Sequence, residues 1–254
     1  VSYLKTESAT AAYLHSINPY QSNRLPLTAS ALPPLTPYRI FLYLPDQFVA
    51  ELSEKYEVDL TENEKMSLFK REMMDNHIAL IFNFDIFHAT QPLQLRRMED
   101  YVYNLARRQK SFIKESYQDK TPFDAYLKAF SDEKNMRFLG GQNIKYILTP
   151  FELGKKLEPI FTTHTINNKI PIYIYENKYF LPRWYFADKI LWTEPDDKKA
   201  FLDLQAIDNF EKTTLLEKQT LNDPAIVTKI DPRDKLELQL YAPGKLIIKT
   251  KTEN

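Results

Sequence analysis

Cysteine is absent from the 254 residues. That excludes disulfide frameworks, thiolate-ligated metals and cysteine nucleophiles. It permits an oxidising compartment without requiring one. Glycine is nearly as scarce, with Gly140, Gly141, Gly154 and Gly244 making up the full count of 4. Phosphate-cradling loops use closely spaced glycines for tight turns and close backbone approach, and neither G-x-G-x-x-G nor G-x-x-x-x-G-K occurs. Conventional nucleotide loops are thereby excluded. Apolar runs are short, as in Ile78-Ala79-Leu80-Ile81-Phe82. A membrane-spanning helix takes about 20 apolar residues, so none is expected. Residues from Val1 on carry no basic and apolar leader, so no secretory signal is expected there. The abrupt start and end suit a segment of a longer chain. Charge of one sign is also lacking, because 34 basic side chains meet 34 acidic ones. General phosphate-backbone binding needs a basic surplus or a concentrated patch, so nucleic acid is not expected as a partner.

What is present is a globular composition, 43% apolar and 27% charged, on a chain long enough to bury a large core. Residues 1–37 are rich in Ser, Thr, Asn and Pro, which predicts an irregular arm with one short helix around Thr10 to Ser16. Tyr38 to Tyr43 predicts a strand. Thr61-Glu62-Asn63-Glu64 is a capping box ahead of Met66, Phe69, Met73 and Met74 at helical spacing. His77 to Phe84 predicts an extended segment. Pro92 opens a helix with Leu95, Met98, Tyr101, Val102 and Leu105 on one face. Thr121-Pro122 starts another, expected to end before Gly140-Gly141.

Beyond the glycine pair the pattern turns to strands: Ile144 to Leu148, Ile170 to Tyr175 and Trp184 to Ala187. Thr193-Glu194-Pro195-Asp196 caps a short helix through Phe201 and Leu204. Ala225 to Ile230 is β-branched. Leu236, Leu238 and Leu240 alternate with Glu237 and Gln239, and Tyr241-Ala242-Pro243-Gly244 turns the chain into Leu246-Ile247-Ile248, a hairpin. The expected class is α+β. An arm over 1–37 precedes an α+β part over 38–145 and a mainly antiparallel β part with one short helix over 146–254, packed together.

Residues that carry chemistry are few. His15, His77, His88 and His164 include no pair at metal-ligand spacing, and a hydrogen-bonded structural role is the default. Asp85 sits among Phe82, Phe84 and Phe87, where a carboxylate pKa can rise, yet nothing supplies its partner. No catalytic, cofactor-binding or metal-binding residue is assigned. Arg96-Arg97 and Arg107-Arg108 are the densest basic spots, three helical turns apart, and suit a solvated face or an anion-attracting one. An aromatic stretch from Tyr173 to Phe186, near Trp192, is mainly core, with a docking surface as the alternative.

That stretch carries a resemblance. Asn143 to Thr149, Ile172 to Asn177 and Leu181-Pro182-Arg183-Trp184-Tyr185 look like the series NVKYII, VYIYEN and LPRAFFV of the extracytoplasmic region of YfhO-like polytopic membrane proteins. These in turn resemble glycosyltransferases that draw sugars from a lipid-phosphate carrier. Asn76 to Phe82, Gln91-Pro92-Leu93 and Arg96-Arg97-Met98-Glu99 are similar to an upstream series, and Tyr38-Arg39-Ile40 to an opening strand. Phe82-Asn83 and His88-Ala89-Thr90 depart from the glycine-containing turns usual there. The resemblance implies a non-catalytic accessory domain on the outer face of a membrane, beside the membrane-embedded part of the same polypeptide. It further implies contact with a glycan or cell-envelope polymer, for which Arg96, Arg97, Glu176, Asn177, Arg183 and Trp184 are the candidate surface. No cofactor is implied. The alternatives are a secreted carbohydrate-active hydrolase with paired carboxylates and a secreted protein-binding domain.

Overall fold

The computed structural model describes residues 9–17, 38–42, 54–57, 85–86, 132–153, 157–165, 170–218, 231, 233–242 and 245–252. The expected elements over 61–74, 77–84, 92–105, 121–131 and 225–230 lie outside the described residues, as do Arg96, Arg97, Arg107 and Arg108. Helices among the described residues include α1 (Ala9–Ser16), α2 (Glu133–Gly141) and α3 (Asp197–Ala206). The strands are β1 (Arg39–Leu42), β2 (Asp85–Ile86), β3 (Ile144–Thr149), β4 (Phe161–Thr165) and β5 (Ile170–Glu176). They continue with β6 (Lys189–Thr193), β7 (Thr213–Glu217), β8 (Lys235–Ala242) and β9 (Lys245–Lys251). The class is α+β.

The main sheet runs β2-β1-β3-β5-β4. β1 is parallel to both β2 and β3, while β3, β5 and β4 are antiparallel. β3 and β5 read as nearly unbroken apolar runs because both their faces are covered. Ile144, Ile147, Leu148, Ile170, Ile172 and Ile174 are all fully buried, and Ile40 joins them from β1. Register sets Ile40 against Tyr146, Ile147 against Tyr175 and Leu148 against Ile174. Met136, Phe138 and Leu139 of α2, and Leu14 of α1, close onto this core. Tyr13 stacks on Phe161 of the edge strand, ring centroids 4.1 Å apart.

α2 begins where Asp132 accepts a hydrogen bond from Lys134 N at 2.9 Å, relieving one of the unpaired amides of the first turn. The helix expected to run from Thr121 to just short of the glycine pair is corrected at two points: Asp132 is extended, so α2 starts at Glu133, and both glycines belong to its last turn. Their role is clearance. A Cβ on Gly140 would lie 1.9 Å from the Tyr179 carbonyl oxygen, and one on Gly141 would lie 2.7 Å from Phe210 Cγ. The helix ends at Gly141, with Gln142 as its C-cap. Asn143, at φ 64, takes the left-handed conformation that asparagine tolerates better than most residues, and its N–H donates to Gly140 O at 2.9 Å.

A second, two-stranded parallel sheet pairs β6 with β7, joined by α3. Leu191, Leu204 and Leu215 pack against the main core. Asp196 caps α3 by accepting from Lys199 N at 2.8 Å, as the sequence predicts. The helix is also held to β6. Thr193 Oγ1 donates to Asp203 Oδ2 at 2.7 Å, and the Lys199 ammonium takes the other carboxylate oxygen. The strand expected at Trp184 to Ala187 does not form, and the ladder begins at Lys189. The segment before it is fastened to the end of α2, with Leu181 N donating to Gly140 O at 3.2 Å and Asn143 Nδ2 to Leu181 O at 2.9 Å. Those bonds hold it away from any neighbouring strand.

β8 and β9 form the expected hairpin, with residues 243–244 outside the described set. Leu238 stands opposite Ile248 but Leu240 opposite Ile247, so an extra residue at Gln239 breaks the expected two-residue alternation.

Two outcomes follow for stability. Gly140→Ala is expected to lower the unfolding free energy by about 3 kcal/mol or more, because the listener to any new methyl is rigid backbone. Urea unfolding would measure it, and a loss within noise would refute the close-approach account. The Lys199 ammonium, then the Thr193 hydroxyl, hold the Asp203 carboxyl below the ordinary carboxylate range. A lowered folded pKa contributes stability that is present above about pH 4 and fades as pH falls through the folded value. Asp203→Asn is therefore expected to flatten part of the fall in urea midpoint between about pH 5 and about pH 2. An unchanged slope would show that the contact is electrostatically idle.

Candidate functional site

β5 ends at Glu176, and the chain then turns through 177–181 across the C-terminal end of α2. Asn177 fixes that turn. It is 1% exposed, and its Nδ2 donates to Met136 O at 3.0 Å and Ile144 O at 3.1 Å. Its Oδ1 accepts from Tyr179 N at 3.0 Å, in the short asparagine turn that this side chain readily makes. Its backbone N–H donates to Lys145 O at 2.7 Å and its carbonyl accepts from Phe180 N at 3.1 Å. One carboxamide thus joins α2, β3 and the turn, with every hydrogen-bonding group in use.

Glu176 and Arg183 sit on either side of this lock. Glu176 is exposed and lies 3.8 Å from the Lys145 ammonium. That ammonium stands over the rings of Tyr146, Tyr38 and Phe180 at 5.1, 5.6 and 5.7 Å, the geometry of cation–π attraction. Burial, then the Glu176 charge, push the Tyr146 hydroxyl up to about 12, and burial raises Tyr38 further still. Arg183 Nε reaches Asn143 Oδ1 at 3.4 Å, a long contact between partly buried groups. Trp184 is half-buried beside it. Glu176, Asn177, Arg183 and Trp184 are thus brought to one end of the main sheet. Their contacts hold the fold, and Arg96 and Arg97 lie outside the described residues.

Beside the lock opens a cleft of about 270 Å³, lined by Arg137, Lys178 to Leu181 and Asn209 to Glu211. α2 supplies Arg137, whose guanidinium lies 4.4 Å from the Tyr179 ring centroid. Its Nη2 pairs with Glu133 one helical turn earlier at 2.6 Å. The Arg137 hydrogen bond is what chiefly holds the Glu133 carboxyl below its ordinary value. Phe210 is buried against Phe138, edge to face at 6.1 Å, and forms the far wall. Asn209 Oδ1 accepts from Glu211 N at 2.9 Å and shapes the turn after α3.

Sequence reading singled out Tyr179 and Phe180 only as members of an aromatic stretch. It missed Arg137, Lys178, Asn209 and Glu211. These come from α2, the turn after β5 and the turn after α3, and the local pattern of each is that of an ordinary polar surface. Chemically the cleft can hold a polar ligand against an aromatic wall. Glu211 is the one carboxylate among its lining residues. His164 is exposed on β4, and the described residues contain no cluster of three or more His, Cys, Asp or Glu suited to a metal ion. No family model, no curated protein and no solved structure matches the chain.

Truncating Asn177 to alanine is expected to cost about 3 kcal/mol, since two carbonyls and one N–H lose their partners inside the protein. Asn177→Asp should fail too, because a carboxylate accepts from Tyr179 N but donates nothing to Met136 O or Ile144 O. Urea unfolding of both variants checks this, and an aspartate variant as stable as the parent protein would contradict the assigned donors.

Proposed function

We propose that the chain is a non-catalytic, extracytoplasmic accessory domain of a polytopic membrane protein of the YfhO-like, glycosyltransferase-like kind. In this reading it aids recognition of a glycan or cell-envelope acceptor, or docks against the membrane-embedded part of the same polypeptide. The observation that carries the reading is the fate of the three series that resemble that family. They form β3, β5 and the segment after it, which are neighbours in space. Their polar residues are engaged in holding one another: Asn143 to Leu181 and Arg183, and Asn177 to Met136 and Ile144. Side chains bound in this way make a scaffold and are not free to react.

The cleft favours recognition over hydrolysis. Glycoside hydrolysis takes two carboxylates roughly 5–9.5 Å apart, one to protonate and one to attack or activate water. Glu211 is the one carboxylate among the lining residues, and Glu133, which is not among them, is engaged by Arg137. No helix among the described residues is long and apolar enough to cross a membrane, so the membrane anchor belongs to flanking sequence in this reading.

The test is topological. Single cysteines placed at exposed Lys178 and Lys249 of the full-length gene product, which this segment otherwise lacks, should react with a membrane-impermeant thiol reagent on intact cells. The product should also sediment with membranes after an alkaline carbonate wash. Reaction only after lysis, or release of the protein as a soluble species, would overturn the assignment.

A further inference from the structure

Most charged groups around the cleft are matched. Glu133 pairs with Arg137, Lys134 with Asp208 at 3.3 Å, and Lys145 with Glu176. Lys178 and Glu211 differ. They are exposed, opposite in charge and line the same cleft, yet no ion pair joins them, and neither side chain has a hydrogen-bond partner among the described residues. The Asn209 carboxamide uses its oxygen on Glu211 N, while its nitrogen has no partner among the described residues. A cation, an anion and an amide donor therefore border one concavity without side-chain partners among the described residues.

The walls that carry them are fixed. Lys178 is set between Asn177 and Tyr179, the two ends of the asparagine turn. Tyr179 is held by backbone contact over Gly140 and by the Arg137 guanidinium against its ring. Glu211 follows buried Phe210, and its N–H is bound to Asn209. The backbone is thus set before a ligand arrives, and binding need order only the Lys178 and Glu211 side chains.

We propose that this cleft binds a small zwitterion of the amino-acid type. Its ammonium faces the Glu211 carboxylate, its carboxylate faces Lys178 and the Asn209 amide, and its carbon side chain lies on the Tyr179, Phe180 and Leu181 wall. Charge decides among ligand classes. A simple anion is drawn to Lys178 but repelled by Glu211, and a simple cation meets the reverse, while Arg137 is already balanced by Glu133. A neutral polyol can hydrogen-bond but gains nothing from opposite charges set apart. A zwitterion is complementary to both. The volume of about 270 Å³ is below that of most drug-sized pockets, which suits one residue-sized molecule. The inference concerns the cleft alone and stands whether or not the domain sits outside a membrane.

The experiment is a titration of the ¹⁵N-labelled domain followed by amide shifts of Lys178, Tyr179, Asn209 and Glu211. The probes are free leucine, phenylalanine and glutamine, their N-acetylated forms and their carboxamides. Glucose serves as the neutral polyol and inorganic phosphate as the simple anion. Saturable shifts at these amides are expected for at least one free amino acid, with blocking of either end weakening binding by about tenfold. Glu211→Gln should abolish discrimination against the acetylated form but keep that against the carboxamide. Lys178→Met should do the opposite. Both positions are on the surface, and an unchanged spectrum elsewhere would establish that each variant folds. Absence of saturable shifts, equal response to blocked and free ligands, or a stronger response to glucose or phosphate would overturn the proposal.

Discussion

The carboxamide of Asn177 is the contact on which the described part of the molecule depends. Three elements meet there, of which only β3 and β5 share a hydrogen-bond ladder: the last turns of α2, the start of β3 and the turn leaving β5. Buried carbonyls at such a junction must find donors or lose the solvation they had in water. Asparagine is the one small side chain that offers two donors and an acceptor from a single planar group. Once it is seated, the Tyr179 carbonyl is brought down onto α2, which is why position 140 has no room for a side chain. The cleft is a by-product of that arrangement, because the same turn raises Tyr179 and Lys178 as a wall facing Phe210.

Around this junction the charges are local and mostly paired. Glu133 and Arg137 are one helical turn apart, as are Lys199 and Asp203, which is the spacing at which helix side chains meet. Exposed pairs of this kind contribute little each, of order 0–1 kcal/mol. The stabilising weight rests on the apolar strands, whose isoleucines are all fully buried in β3 and β5. A neutral, balanced surface over such a core leaves recognition to shape and to the few groups that pairing has passed over.

Legibility in the sequence followed the range of the forces involved. α3 was readable from Thr193-Glu194-Pro195-Asp196 because capping is settled within four residues. β3 and β5 were readable because burial on both faces writes itself as an apolar run. Gly140-Gly141 misled, since glycine marks a helix end by its freedom but here serves a contact 39 residues away in sequence, with Tyr179. Trp184 to Ala187 has the aromatic character of a strand, yet bonds to Asn143 and Gly140 just upstream hold the chain irregular. The parallel pairing of β6 and β7 leaves no local signature that distinguishes it from a hairpin. Within the site, Asn177 was visible as a member of the candidate surface but its partners were not, and the convergence of residues 137, 178 and 211 is a property of the fold alone.

The parallel neighbours β1 and β3 are separated by roughly 100 residues of chain. A strand pair closed over so long a loop pays its entropy before it gains any contact, which slows its formation relative to the adjacent antiparallel pairs. During synthesis at about 5–20 residues per second, β1 leaves the ribosome some 5–20 seconds before β3 exists. For that interval Ile40 and Phe41, destined for burial, lack β3, and among the described residues the only strand that can pair with them is the short β2 once Ile86 has been made. The nascent chain therefore passes through a stage at which its first strand is a target for chaperones, and the pace of translation across residues 43–143 sets how long that stage lasts.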